Sequence, residues 1–158
     1  MLSVLFVCLG NICRSPMAEA LLRHKLMLAG LSDRISVDSA GLGAWHIGEP
    51  PHRGTRKVLD AAGVSHTGQI ARLLIPSDLT TFDYVLTMDH ANMDAVQQLL
   101  LENPTERSTC IRPVMSFVHD SMEDVVPDPY YDGRYTYVYS LLDNACNALL
   151  EELQEQCT

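Results

Sequence analysis

Residues 8–16 have the sequence Cys8-Leu9-Gly10-Asn11-Ile12-Cys13-Arg14-Ser15-Pro16. They follow the apolar run Val4-Leu5-Phe6-Val7 and precede a segment with the spacing of an amphipathic helix. A short loop with Gly and Asn between a strand and a helix points backbone N–H groups, and the positive end of the helix dipole, at one place. The sequence therefore predicts an anion site in this loop.

Two side chains give the predicted anion site its chemistry. Cys8 opens the loop, where the same N–H groups would stabilise a thiolate and make it a nucleophile at neutral pH. The guanidinium of Arg14 can hold two oxygens of a tetrahedral oxyanion. The structural alternative is that Cys8 is a small buried residue and Arg14 is solvated in the first turn of a helix. We favour the functional interpretation, because the thiol, the guanidinium, a capping Ser15 and a helix-starting Pro16 lie within one short stretch between a strand and a helix.

The composition excludes several partners. The 158 residues are 47% hydrophobic, which fits one domain spanning residues 1–158. The net charge of −9 and the lack of a basic run argue against nucleic acid and anionic membranes as partners. The five cysteines are odd in number and unevenly spread, unlike a secreted disulfide framework, and no apolar run is long enough to span a bilayer. We therefore expect a soluble, cytoplasmic protein.

Apolar patterning predicts strands that alternate with helices. Strands are predicted over 2–7 (central), 35–40, 84–88 and, at the sheet edge with an interrupting Pro113, 111–117. Helices are predicted over 16–30, 55–62, 91–101 and 135–156. Residues 71–81 are predicted as a loop with a brief turn at 77–78, and residues 125–133 as an exposed loop. The expected fold is a doubly wound α/β domain with a four-stranded parallel sheet flanked by helices on both faces, which binds ligands at the carboxyl ends of its strands.

The first predicted helix has one apolar stripe. Its members are Met17, Ala20, Leu21, Met27 and Leu28. We expect this stripe to face the sheet.

A second motif, Asp128-Pro129-Tyr130-Tyr131, lies in the loop before the last helix. Alone, an Asp-Pro pair is most often a turn former. Beside an anion loop, the carboxyl group could donate a proton to a leaving oxygen, and the tyrosines could form an apolar wall.

Trp45 lies in another loop rich in Gly and Pro, and the sequence alone leaves it either a packing residue or a wall of the ligand site.

Together these motifs resemble the low-molecular-weight protein tyrosine phosphatase family. The resemblance extends over nearly the whole chain and includes Asp38-Ser39, the Trp45 loop and Thr87-Met88-Asp89. It implies an enzyme that hydrolyses phosphotyrosine through a phosphocysteine intermediate and releases inorganic phosphate without a cofactor or metal. The substrate would be a phosphotyrosine-containing protein or a small aryl phosphate.

The resemblance also implies a role for each site residue. Cys8 is the nucleophile, Asp128 is the general acid and then the base, and Ser15 donates to the departing thiolate. Trp45, Tyr130 and Tyr131 line the substrate cleft. The phosphate-binding residues are Leu9, Gly10, Asn11, Ile12, Cys13, Arg14 and Ser15.

Two polar residues near the loop have roles that the sequence leaves open. Asn11 either bonds toward Ser39 and holds the loop in a left-handed bend, as in the family, or is a plain turn residue. Asp89 either orients Arg14 or caps the next helix.

Three further residues concern the tuning of the loop. Cys13 shares the loop with Cys8 and is expected to be its redox partner, because a sulfenic acid on a reactive cysteine can condense with a neighbouring thiol. His52 stands where relatives often have Asp, and Gln69 stands where vertebrate members have His. These two differences concern how the loop is supported rather than the chemistry.

The histidines show no paired ligand spacing, so we expect no metal site and place them at the surface. They are His24, His46, His52, His66, His90 and His119.

Two rival functions fit the sequence less well. An arsenate reductase with this loop would need further cysteines after the third strand, and residues 80–109 contain none. A phosphopeptide-binding module without turnover would not need both Cys8 and Asp128.

The side chains around the loop favour phosphotyrosine over phosphoarginine or phosphoserine. Relatives that act on phosphoarginine have Thr at the position of Ile12 and a smaller residue after Asp-Pro. This chain has an aliphatic side chain there and two tyrosines, Tyr130 and Tyr131, that could flank a phenyl ring.

Overall fold

Four parallel strands form one sheet in a computed structural model, which describes residues 1–157. The strands are β1 (Leu2–Cys8), β2 (Ile35–Gly41), β3 (Tyr84–Thr87) and β4 (Cys110–Pro113). Their order is β2-β1-β3-β4, and every neighbouring pair is parallel. The nearly continuous apolar sequence of β1 correctly predicts its central place, because a central parallel strand is covered on both faces.

Helices connect the strands. They are α1 (Arg14–Leu28), α2 (Arg53–Ala61), α3 (Asp78–Thr81), α4 (His90–Glu102), α5 (Pro129–Asp132) and α6 (Tyr135–Gln156), with one 3-10 helix over Val114–Phe117. Across residues 1–157, none of these helices combines the length and the apolar character that a membrane span requires.

The side chains of β1 divide between two apolar layers. Phe6 is fully buried on the face covered by α1 and α6, and Val7 is fully buried on the face covered by α3 and α4. This alternation is the period of two of a strand with helices on both sides. The α/β fold with helices on both faces is therefore confirmed.

Three local predictions were wrong, and proline explains two of them. The edge strand ends at Pro113, which cannot donate to the sheet, and the next four residues form the 3-10 helix. In the segment predicted as an exposed loop, Pro129 occupies the first turn of α5, where a missing N–H costs nothing. Val126 in the same segment is fully buried. The third, the predicted loop over 71–81, ends in α3, where Asp78 accepts a bond from the N–H of Ile75 (2.9 Å).

The first helix also differs from its prediction at both ends. It starts at Arg14 with Cys13 at the N-cap position, so Ser15 does not cap it and Pro16 is its third residue. Met27 and Leu28 are 57% and 72% exposed, whereas Leu22 and Leu26 are buried. In the last turn of α1, Leu26 therefore faces the core, whereas Met27 and Leu28 face solvent.

We expect Leu22→Ala to lower the free energy of unfolding by about 2–5 kcal/mol, because it leaves a cavity under α1. Leu28→Ala on the same helix should change it by less than about 0.5 kcal/mol, because Leu28 lies in solvent. Urea unfolding followed by circular dichroism measures both. Equal losses in the two variants would show that α1 packs differently from this description.

Candidate active site

Residues 9–13 form a loop between the carboxyl end of β1 and the start of α1, and neighbouring segments bind several carbonyl groups of this stretch. The N–H of Leu42 donates to the carbonyls of Cys8 (3.1 Å) and Leu9 (2.9 Å), and the N–H of His52 donates to that of Ile12 (2.7 Å). Within residues 1–157, the N–H groups of residues 9–13 donate no hydrogen bond to the protein. The loop therefore presents a ring of free donors to an anion.

The side chain of Asn11 holds this loop in shape. Asn11 has a φ of 57° and is the only non-glycine residue with positive φ among residues 1–157. Its Oδ1 accepts from the N–H of Arg72 (2.9 Å), and its Nδ2 donates to the hydroxyls of Ser15 (2.8 Å) and Ser39 (3.0 Å). A Cβ on Gly41, at the end of β2, would lie 3.0 Å from the Cβ of Asn11, so the loop needs a glycine there.

These bonds orient the hydroxyl groups beside Cys8. The hydroxyl of Ser39 donates to the buried carboxylate of Glu19 (2.6 Å) and accepts from Asn11. Ser15 accepts the other N–H of the Asn11 amide, and its oxygen lies 2.9 Å from the sulfur of Cys8. A thiolate has no proton to give, so an ionised Cys8 would accept the hydroxyl proton of Ser15.

The guanidinium of Arg14 is buried, and the protein forms hydrogen bonds with one side of it but leaves donors on the other side available. Its Nη1 donates to Asp89 (2.6 Å) and to the carbonyl of Val126 (2.9 Å), whereas its buried Nε has no protein partner. Its Nη2 lies 3.5 Å from Asp128. Burial acts to lower the pKa of Arg14, but the charge of Cys8 and the bond to Asp89 outweigh it and raise that pKa above its usual range. The guanidinium stays charged in the interior.

Asp89 performs both of the tasks between which the sequence could not decide. One carboxylate oxygen holds Arg14, and the other accepts the N–H of Asn92 (2.8 Å) and caps α4. The carboxylate is therefore fixed at both oxygens.

Asp128 is oriented in a similar way. Its Oδ1 accepts the N–H of Tyr130 (3.1 Å) and caps α5, which leaves Oδ2 turned toward Arg14. Upstream, the N–H of Val126 donates to the carbonyl of Met88 (2.8 Å) after β3. The acidic loop is thus tied both to the sheet and to the anion loop.

Most of the predicted site residues line one cavity of about 330 Å³. Its lining consists of Cys8, Leu9, Gly10, Ile12, Cys13, Arg14, Trp45, His46, Asp128, Tyr130 and Tyr131. Trp45 and Tyr131 are 70% and 76% exposed, so both have most of their surface available to a ligand. Asn11, Ser15, Ser39 and Asp89 support the cavity without lining it. His46, which the sequence placed at the surface, lies in the wall, and its position next to Trp45 was the only signal.

Tyr135, which the sequence did not assign, contacts the loop together with His52, and Gln69 contacts the start of the helix that follows. The hydroxyl of Tyr135 lies 3.5 Å from the sulfur of Cys13 and 2.8 Å from Nδ1 of His52. Burial raises the pKa of Cys13 to about 12. Gln69 donates from Nε2 to the carbonyl of Pro16 (2.9 Å), so it supports the start of α1.

No group of three or more His, Cys, Asp or Glu side chains within residues 1–157 has an arrangement that could hold a metal ion. The cavity brings together a thiol, a guanidinium, a carboxyl group and free N–H donors.

Comparisons with known proteins agree with this geometry. The model of the family described as low molecular weight phosphotyrosine protein phosphatase matches residues 3–158. The low molecular weight protein-tyrosine-phosphatase YfkJ of Bacillus subtilis is 44% identical over 99% of this chain and 98% of its own length. PtpA of Staphylococcus epidermidis, of the same description, is 41% identical over 96% and 93%.

Two solved structures show the same fold. The crystal structure of YfkJ superposes with a TM-score of 0.94 and covers 100% of this chain and 98% of that one. The Drosophila arginine phosphatase has a TM-score of 0.89 and 31% identity, with 95% and 96% covered. The chain is therefore an enzyme that belongs to the family of low molecular weight protein tyrosine phosphatases.

Proposed function

We propose that the enzyme hydrolyses phosphotyrosine through a phosphocysteine on Cys8, with Asp128 as general acid and base. One observation carries the proposal: the buried Nε of Arg14 has no protein partner, beside a ring of free N–H groups. A buried donor without a partner is costly, and a bound phosphate would satisfy it. Cys8 and Asp128 line the same cavity as this open side of Arg14.

In the first step, the thiolate of Cys8 attacks phosphorus in line with the leaving oxygen. Arg14 and the N–H groups of the loop hold the three equatorial oxygens, where negative charge is concentrated. The S–P bond forms and the P–O bond breaks as Asp128 gives its proton to the leaving phenolic oxygen.

In the second step, Asp128 takes a proton from a water molecule, whose oxygen attacks the phosphorus of the intermediate. The P–S bond breaks and inorganic phosphate and the thiolate are released. Ser15, whose oxygen lies 2.9 Å from the sulfur of Cys8, stabilises that thiolate. No step requires a metal or a cofactor.

The walls of the cavity support phosphotyrosine as the substrate group. Trp45, Tyr130 and Tyr131 can contact a phenyl ring, each aromatic pair contributing about 0.5–1.5 kcal/mol. Phosphoserine is too short to reach them. One structural relative is an arginine phosphatase, so phosphoarginine is the competing substrate. Ile12 offers no hydroxyl to a guanidinium-linked phosphate in the cavity.

We also propose that oxidation controls the enzyme reversibly in the cytoplasm. A thiolate reacts with a hydroperoxide to give a sulfenic acid, which a nearby thiol converts to a disulfide. Cys13 lines the same cavity as Cys8 and is a free thiol. A bridge between them would prevent irreversible overoxidation of Cys8.

Cys8→Ser should lower kcat/KM for an aryl phosphate by at least about a thousandfold, because the hydroxyl is a far weaker nucleophile here. Phosphate binding, measured by calorimetry, should persist, because Arg14 and the N–H groups are unchanged. Cys157→Ser, at the far end of the chain, is the matched control and should keep full activity. Hydrolysis at the wild-type rate in Cys8→Ser would remove Cys8 from the mechanism.

Asp128→Asn should slow esters of basic phenols by about 10²–10⁴ in kcat/KM and esters of acidic phenols much less, because only a basic leaving group needs the proton. The amide keeps an oxygen that can cap α5, so the loop is retained. The control is Asp132→Asn on the same short helix, which should leave the leaving-group dependence unchanged. A uniform loss across a series of substituted phenyl phosphates would contradict the assignment.

Wild-type enzyme should have a higher kcat/KM for phosphotyrosine peptides than for phosphoarginine. Trp45→Ala should reduce the phosphotyrosine value by about two- to tenfold, which corresponds to the loss of one aromatic contact. Ile47→Ala is the control, because Ile47 is exposed in the same loop but does not line the cavity. Phosphoarginine hydrolysis at equal or greater efficiency would overturn the substrate assignment and leave the Cys8 chemistry intact.

A further inference from the structure

We propose that Tyr135 and His52 accept the proton of Cys13 when its sulfur attacks oxidised Cys8. The pair would make Cys13 a competent partner in disulfide formation, a role distinct from phosphate transfer. This inference rests on the redox part of the proposed function.

The hydrogen bonds around His52 define a direction for the proton. The backbone N–H of Gly54 can only donate, and it points at Nδ1 of His52 (3.0 Å), so this nitrogen is an acceptor and the ring proton is on Nε2. The hydroxyl of Tyr135, 2.8 Å from the same Nδ1, must therefore donate to it. The oxygen of Tyr135 is then free to accept the S–H of Cys13 at 3.5 Å. The proton path therefore runs from the Cys13 thiol through the Tyr135 phenol to the His52 imidazole.

Cys13 needs such an acceptor because the thiolate is the attacking species in disulfide formation. Burial raises the pKa of Cys13 to about 12. Without a neighbouring base, almost every Cys13 side chain would be an unreactive thiol at neutral pH.

The reaction balances with a hydroperoxide as the oxidant. The peroxide transfers one oxygen to the Cys8 thiolate, its O–O bond breaks, and Cys8 becomes a sulfenic acid. The sulfur of Cys13 then attacks the Cys8 sulfur, the S–O bond breaks, and the hydroxide leaves as water with a proton from solvent. The Cys13 proton passes to Tyr135, whose own proton passes to Nδ1 of His52 and from there to solvent. The two sulfurs lose two electrons, which reduce the peroxide.

The surrounding structure fixes the geometry of this pair. The rings of His52 and Tyr135 are nearly parallel, with their centroids 5.2 Å apart and an angle of 10° between them. A Cβ on Gly54 would lie 2.4 Å from the Tyr135 ring, so the glycine leaves the space in which that ring lies. After transfer, Tyr135 can donate to the Cys13 thiolate and accept from Nδ1 of protonated His52, in exchange for the bond that Nδ1 accepted from the N–H of Gly54.

The test compares Tyr135→Phe, which removes one oxygen and keeps the ring, with His52→Asn, which keeps an acceptor for the N–H of Gly54 but removes the base. Tyr84→Phe is the matched control, because the Tyr84 hydroxyl bonds Glu152 away from the cavity. Reduced protein is treated with one equivalent of hydrogen peroxide, quenched with an alkylating reagent at set times, and mapped by mass spectrometry.

We expect sulfenic acid to form on Cys8 at the same rate in all four proteins. The Cys8–Cys13 disulfide should then form at least about tenfold more slowly in Tyr135→Phe and in His52→Asn than in wild type or the control, with more Cys8 converted to sulfinic acid. Wild-type disulfide rates in either variant would reject the relay and leave Cys13 as the redox partner. No Cys8–Cys13 bridge in the wild type would reject both, while the phosphatase mechanism would stand.

Discussion

The amide of Asn11 joins the parts of the chain on which the site depends. Its three hydrogen bonds reach Ser39 on β2, Ser15 on α1 and the backbone of Arg72, whose guanidinium pairs with Asp38 and Asp78. The register between β1 and β2, which pairs Phe6 with Ser39, brings these groups together. Because a slip by one residue would turn Ser39 to the other face, the geometry of the loop that begins at Cys8 depends on correct pairing of the sheet.

A protein with a net charge of −9 can offer an anion site here because the field is local. Arg14 is desolvated, and a buried charge without a partner would be strongly destabilising. Asp89 supplies that partner on one side of the guanidinium only, so the opposite side stays available and fixed in direction. Donors that are already oriented need no reorganisation when charge develops on the oxygens of a phosphoryl group.

Local signals in the sequence predicted most of the fold and the residues proposed for the chemistry. The apolar run of β1, the loop from Cys8 and the Asp-Pro motif are each contained in fewer than ten residues, so pattern and composition were enough to find them. His52 and Tyr135 are 83 residues apart in the sequence, and no local pattern links them. Their contact could therefore be found only in the folded structure. Pro129 misled the prediction because a proline that breaks a helix interior is favourable in its first turn.

The two backbone bonds of Val126 have a consequence for the energetics of turnover. One links the acidic loop to Met88 and the other links it to Arg14, so the loop is ordered by folding rather than by ligand binding. Enzymes that close a loop over their substrate use binding energy from remote parts of that substrate to do so. Here no such contribution is needed to order the loop, so a small aryl phosphate whose ring reaches the aromatic walls would use the same acidic loop as a phosphotyrosine protein, and selectivity among such proteins would come from contacts outside the cavity.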